Sequence, residues 1–128
     1  MRLLLDTHAL VWWFTDDPKL SLTVRQIIAD PGSVILVSAA SAWETATKFR
    51  LGKMPSVSLI VSDIEGYVRA EGFLPLPVTL RHAQMAGGLP GPLRDPFDRM
   101  LIAQALEEGS TLASNETAFD RYGISRTW

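Results

Sequence analysis

Short apolar runs that end on polar or acidic residues, separated by stretches with helical spacing, constrain this chain more than any other feature. Arg2–Leu5 reads as a buried strand, and Val34–Val37 is a continuous apolar run of the kind found where both faces of a sheet are covered. Helical spacing appears from about His8 to Phe14 and again from Ser21 or Leu22 to Ala29; Asp16-Asp17-Pro18 breaks the first and Asp30-Pro31-Gly32 closes the second. Ser38 is placed to cap a helix running to about Arg50, with Gly52 to terminate it. Val57, Ile60, Val61, Ile64 and Val68 predict a further helix reaching Gly72. Phe73–Val78 is extended, because Pro75 and Pro77 disfavour helical geometry in the residues before them, and is at best an edge strand. Thr79 caps a short helix ending at Gly87-Gly88, and Leu89–Pro92 is a loop. Pro96 to about Glu108 is helical, Thr111–Ala113 a strand, Thr117–Arg121 a short helix and Ile124–Thr127 a last strand.

This alternation predicts an α/β fold, a three-layer α/β/α sandwich around a central, mostly parallel sheet. The length of 128 residues suits one domain, 1–128. Such sheets bind ligands beyond the carboxyl ends of their strands. Residues that directly follow a strand are therefore where chemistry is expected.

Acids stand there. Asp6 follows Leu3-Leu4-Leu5, and a carboxylate at that point is costly to bury unless a cation or hydrogen bonds meet it; the alternative is a plain turn or helix-capping Asp, which needs no cation. Glu44 lies about one turn into the helix after the second strand. On a wheel of about 100° per residue, Ala39, Ala42, Trp43, Ala46 and Phe49 share the apolar side, and Glu44 falls opposite with Ser41 and Lys48. A solvated Glu44–Lys48 pair would explain that face without any chemistry. Asp95-Pro96 has the form of an N-cap followed by proline at the first helical position. Asp98 differs, because it falls inside the arc of Phe97, Leu101, Ile102 and Ala105, while Arg99, Ala103 and Glu107 take the other side. A carboxylate in a core-facing stripe needs a partner. Glu116 follows Ser114-Asn115 beyond the last buried strand, where an acid at a helix start also suits the macrodipole.

Packed together, like charges would raise one another's pKa, and a divalent cation would resolve the conflict. Oxygen-only ligands suit Mg2+ or Mn2+, which bind phosphate oxygens and can activate water. The rest of the composition narrows the chemistry further. The chain has no Cys, which removes thiolate chemistry, and its two His, His8 and His82, do not form a zinc pair. A net charge of −2 neither points to nucleic acid nor excludes it. The apolar start of the chain is interrupted by Asp6 and His8, so no signal peptide or membrane span is expected, and the expected location is cytoplasmic.

Leu-Leu-Asp6-Thr7-His8-Ala9-Leu, Ser38-Ala-Ala-Ser-Ala-Trp43-Glu44 and Arg94-Asp95-Pro96-Phe97-Asp98-Arg99 resemble the PIN-domain family, and within it VapC-like toxins of toxin–antitoxin pairs. The resemblance covers essentially the whole chain, with its motifs in order. It implies a Mg2+-dependent endoribonuclease toxin, with RNA as substrate and a cognate antitoxin protein as partner. Asp6, Glu44 and Asp98 match the family's acidic metal positions, and Asp95 could assist. Glu116 stands where the family commonly has Asp, one methylene longer. The expected supporting groups are Thr7, Ser38 and Asn115, which would orient carboxylates. Arg94, Arg99 and Lys48 are either phosphate contacts or solvated charges. Trp12-Trp13-Phe14 cannot all face one core, so one of them is a candidate anchor for a homodimer or antitoxin contact. The 47% hydrophobic content and mean hydropathy of +0.13 also suit a covered face.

Three other classes compete. A haloacid-dehalogenase phosphatase would want a second acid where His8 stands, and a phospho-receiver domain would want an early acidic pair. The third is a PIN scaffold that binds RNA or an antitoxin without cutting.

Overall fold

The computed structural model describes all of Met1–Trp128. Five strands form one sheet: β1 (Arg2–Leu5), β2 (Val34–Ser38), β3 (Leu74–Leu76), β4 (Thr111–Ala113) and β5 (Arg126–Thr127), in the order β3-β2-β1-β4-β5. Every pairing is parallel, so the sheet is wholly rather than mostly parallel. Leu36, Val37 and Ser38 of β2 pair with Leu74, Pro75 and Leu76, which places the proline-containing strand at the edge where its missing N–H is tolerated.

Six α-helices accompany the sheet: α1 (Thr7–Phe14), α2 (Leu22–Ala29), α3 (Ala39–Arg50), α4 (Ile64–Ala70), α5 (Leu80–Gly88) and α6 (Pro96–Glu108). Side chains alternate along β1, so Leu3 and Leu5 enter one core and Leu4 the other. The first core is closed by Ala9 and Leu10 of α1, Val24 and Ile28 of α2 and Val68 of α4. The second is closed by Leu101, Ile102 and Ala105 of α6 with Phe119. These two layers are the physical reason that the strands read as unbroken apolar runs.

Caps predicted from sequence are formed. The hydroxyl oxygens of Ser21, Ser38 and Thr79 accept amide hydrogens from Val24, Ala40 and His82. The segment from Val57 to Gly72 departs from the expected single helix. It forms 3-10 turns at Pro55–Val57 and Ile60–Ser62, and only Ile64–Ala70 is α-helical. Asp63 causes the break: its backbone is extended at φ −159°, and its Oδ1 accepts the Gly66 amide, starting a new helix. The periodic apolar residues there report burial, not helical continuity. In α6 the expected polar side is partly buried: Glu107 is exposed, but Ala103 is fully enclosed, because α6 lies between the sheet and α5.

The loop into α6 is fixed by two contacts. Tyr122 accepts the Leu93 amide at 2.9 Å, and a Cβ on Gly91, at φ +103°, would meet the Tyr122 hydroxyl at 2.6 Å.

Candidate active site

Asp6 leaves β1 with its amide still bonded to the Ala113 carbonyl at 3.1 Å, so its position is set by the sheet. Its Oδ1 caps α1 by accepting the Ala9 amide at 2.7 Å. Only 7% of the residue is exposed. Burial pushes the Asp6 carboxyl up, and the charge of Glu44 adds to this, against hydrogen bonds from Ser114 and Ala9 and the nearby His8. Ser114, fully buried at the end of β4, also accepts the Glu116 amide at 3.0 Å.

Glu44 is 5% exposed and sits on the inner side of α3, the reverse of the face the wheel predicts. Ala40, Ser41, Glu44 and Thr45 are the buried residues of α3, while Ala39, Ala46 and Trp43 are outside. The reason is position: α3 packs against α1 and α6 as well as β2, so its inner face meets polar groups. Thr7 Oγ1 donates to Glu44 Oε1 at 2.5 Å and lies 3.2 Å from the Ser41 hydroxyl. Lys48 Nζ reaches Glu44 Oε2 at 2.5 Å, a contact that raises the lysine's pKa. The Glu44–Lys48 pair is therefore formed, but on a largely buried carboxylate.

Asp95 caps α6, its Oδ1 accepting the amides of Phe97 at 2.8 Å and Asp98 at 3.2 Å. Asp98, half-buried, has a carboxylate with neither an ion pair nor a hydrogen bond. Burial and then the charges of Asp95, Glu44 and Asp6 push it up to about 7, opposed by Lys48. Asp6, Glu44, Asp95 and Asp98, from three separate stretches of chain, thus act on one another. As the side chains lie, no three acids or histidines form a ready cage for a metal ion. Lys48 and Thr7 hold Glu44, and the Ala9 amide and Ser114 hold Asp6. The donor set is nevertheless all oxygen, and the bare, strained charge of Asp98 is what a hard divalent cation relieves.

Glu116 is exposed and caps the 3-10 turn Thr117–Tyr122, its Oε1 accepting the Ala118 amide at 3.0 Å. Its charge is felt at Arg126.

A family model for the PIN domain matches residues 3–124. This chain belongs to the PIN-domain family. Ribonuclease VapC16 of Mycobacterium tuberculosis (strain ATCC 25618 / H37Rv) is 41% identical over 68 residues, a match spanning 52% of this chain and about half, 48%, of that protein. Ribonuclease VapC22 of the same organism is 29% identical over 115 residues, 88% of this chain and 85% of the relative. Among solved structures, VapBC2 from Rickettsia felis bound to a DNA fragment from their promoter matches with a TM-score of 0.73 at 16% identity, covering 99% of this chain and 98% of that one. At that identity the likeness is one of fold.

Other groups expected at the PIN site are placed differently. The Arg99 guanidinium donates to the carbonyls of Ala86 and Leu93, each at 2.9 Å, and to that of Leu89. It is a clamp between α5, the following loop and α6. Arg94 is exposed. Thr7 touches Glu44 as expected, whereas Ser38 caps α3 without reaching a carboxylate. Asn115 is exposed, and its neighbour Ser114 takes the expected place beside Asp6. Sequence held one signal for this: Ser114 directly follows the strand, where the side chain that continues the ladder is buried.

Trp12, Trp13 and Phe14 all turn inward around α1. Trp13 meets Phe73, Phe14 meets Tyr67 and Phe73, and Trp12 meets Trp128, and each of the three stays part-exposed. No helix of this PIN domain is long and apolar enough to cross a membrane.

Proposed function

We propose that this PIN domain is a divalent-metal-dependent endoribonuclease that hydrolyses RNA phosphodiester bonds, acting as the toxin of a toxin–antitoxin pair. One observation carries the reading. Asp98 is pushed to about 7 among Asp95, Glu44 and Asp6, at the carboxyl end of a parallel sheet, with no donor on its own carboxylate. Family membership and relatives named as ribonucleases support it.

Asp6, Glu44 and Asp98 are the residues that would hold Mg2+, or Mn2+ in its place, with Asp95 assisting and Glu116 as an outer member. When bound, such a cation supplies activation of water and neutralisation of charge developing at the phosphodiester. The chain's own groups do the positioning. Thr7 holds one oxygen of Glu44, and the Ala9 amide with Ser114 holds Asp6. Glu44 would serve as a ligand while its oxygens stay held by Thr7 and Lys48.

The test is cleavage of a structured RNA by the purified protein. Mg2+ or Mn2+ is expected to support it, EDTA to abolish it, and Asp98→Ala to lower it more than about a hundredfold. Metal-independent cleavage, or full activity of Asp98→Ala, would refute the reading. Glu116→Asp is expected to keep cleavage within a few-fold or raise it, since Asp caps a helix start as well as Glu does. Abolished cleavage would instead make Glu116 a ligand of fixed reach.

A second reading has its own support: Glu44 is tied to Lys48 and Thr7, and no three acids stand ready as a cage. That reading is a scaffold that binds RNA or an antitoxin without cutting. In the assay above it would show RNA retention with no products under either metal.

The proposed partners include a cognate antitoxin and a second copy of the chain. Leu80 at the start of α5, 92% exposed, and Leu74 on the edge strand supply apolar surface for such contacts. Sedimentation of the pure protein checks the homodimer.

A further inference from the structure

RNA binding here needs a source of affinity beyond the one exposed arginine next to the acids, Arg94. Lys48 is engaged by Glu44, Arg99 by backbone carbonyls and Arg126 by Asp120, and the chain carries a net charge of −2. A basic groove tracking the phosphates is therefore not what this surface offers.

Beside the acids lies an apolar recess of about 340 Å3, between α3 and the start of α6, walled by Ala39, Trp43, Val78, Pro96, Phe97 and Met100. Trp43 is 66% exposed, an unusual placement for the largest apolar side chain of a helix. It meets Phe97 at 78°, with ring centroids 5.0 Å apart, so the pair forms two walls rather than a closed stack. Each aromatic immediately precedes an acid of the site, Trp43 before Glu44 and Phe97 before Asp98. Recess and acids thus occupy adjoining faces of the same two helices.

We propose that this recess receives one nucleobase of single-stranded RNA, stacked on Trp43, and so seats the adjoining phosphate at the acids. The proposal rests on the ribonuclease reading and names how its substrate is gripped. Base stacking on an aromatic side chain needs no protein cation and tolerates any base, since each has a π-face. The occupant follows from the neighbourhood: the recess adjoins the acids proposed to cut RNA, and the group that lies next to a phosphodiester in RNA is a base.

The experiment uses RNA oligonucleotides that carry a single abasic nucleotide at successive positions around the cleaved bond. With the wild-type protein, one abasic position is expected to raise KM about tenfold with kcat nearly unchanged. Trp43→Ala is expected to raise KM on intact RNA by a similar factor and to be indifferent to that abasic position. Trp43→Phe should retain most of the wild-type behaviour. Thermal melts confirm that the variants fold, as expected for an exposed side chain.

Insensitivity to every abasic position, or equal abasic losses in wild type and Trp43→Ala, would overturn the proposal. So would an unchanged KM in a Trp43→Ala protein that has lost a wild-type dimer on sedimentation, which assigns the recess to a second copy. Fluorescence anisotropy with the same oligonucleotides separates the two readings. Trp43-dependent binding without cleavage would uphold the recess and refute hydrolysis, whereas cleavage without Trp43 dependence would do the reverse.

Discussion

Replacing Asp98 by asparagine is expected to raise the melting temperature of the metal-free protein at pH 8 while removing its RNA cleavage. The carboxyl sits at about 7 in the folded chain against 3.8 ordinarily. Below the ordinary value it is protonated both folded and unfolded, and contributes no cost. Between about 4 and 7 the unfolded chain has released the proton that the folded chain retains, so stability falls as pH rises. Above 7 the full cost is present. At about 1.4 kcal/mol per pH unit of displacement, the unscreened cost would be about 4 kcal/mol, and solvent around a half-exposed carboxylate cuts it to about 1–2 kcal/mol. Asparagine keeps the shape and removes the charge, so the advantage of Asp98→Asn over wild type should be absent near pH 4 and largest at pH 8. Divalent metal should reverse the order, stabilising wild type by occupying the site and leaving the Asp98→Asn variant largely unchanged. Melts in EDTA and in Mg2+ at the two pH values decide this. An Asp98→Asn variant that melts lower than wild type at pH 8 in EDTA would show that carboxylate repulsion is not what Asp98 experiences.

Arg99→Ala is expected to destabilise the fold by about 3 kcal/mol or more, because three carbonyls lose a charged donor together. Arg99→Lys should recover little of this, since one ammonium cannot span the carbonyls that a planar guanidinium reaches at once. Loosening this clamp would also release the loop from Leu89 to Asp95 that delivers the α6 cap, so cleavage should fall with stability. Arg94→Ala, by contrast, should leave the denaturation midpoint unchanged, as its side chain is exposed. Urea denaturation of the three variants separates the roles. An Arg99→Ala protein of normal stability with only a raised KM would return Arg99 to the phosphate-binding set.

Much of this architecture was legible before folding. The unbroken apolar strands required a sheet covered on both faces, and Ser21, Ser38, Thr79 and Asp95 announced helix starts because capping is chemistry between near neighbours. The oddity of Asp98 was local too, an acid among apolar neighbours on one helix. Where reading failed, the cause lay beyond the helix or strand concerned. A wheel placed Glu44 outside because it assumes that the most apolar side turns inward. α3, wedged against α1 and α6, turns a polar side inward and leaves Trp43 in solvent. The roles of Arg99 and Ser114 depended on carbonyls and a carboxylate brought from distant parts of the chain.

Sequence by itself thus determined the layered α/β plan and the positions of the acids along the strands, because hydrophobic periodicity and capping are short-range effects. Only tertiary structure decided which charges share one neighbourhood, which cations are already spent on the protein, and which aromatic faces water. Those outcomes depend on distances between residues far apart in the chain, and a linear pattern does not encode them residue by residue.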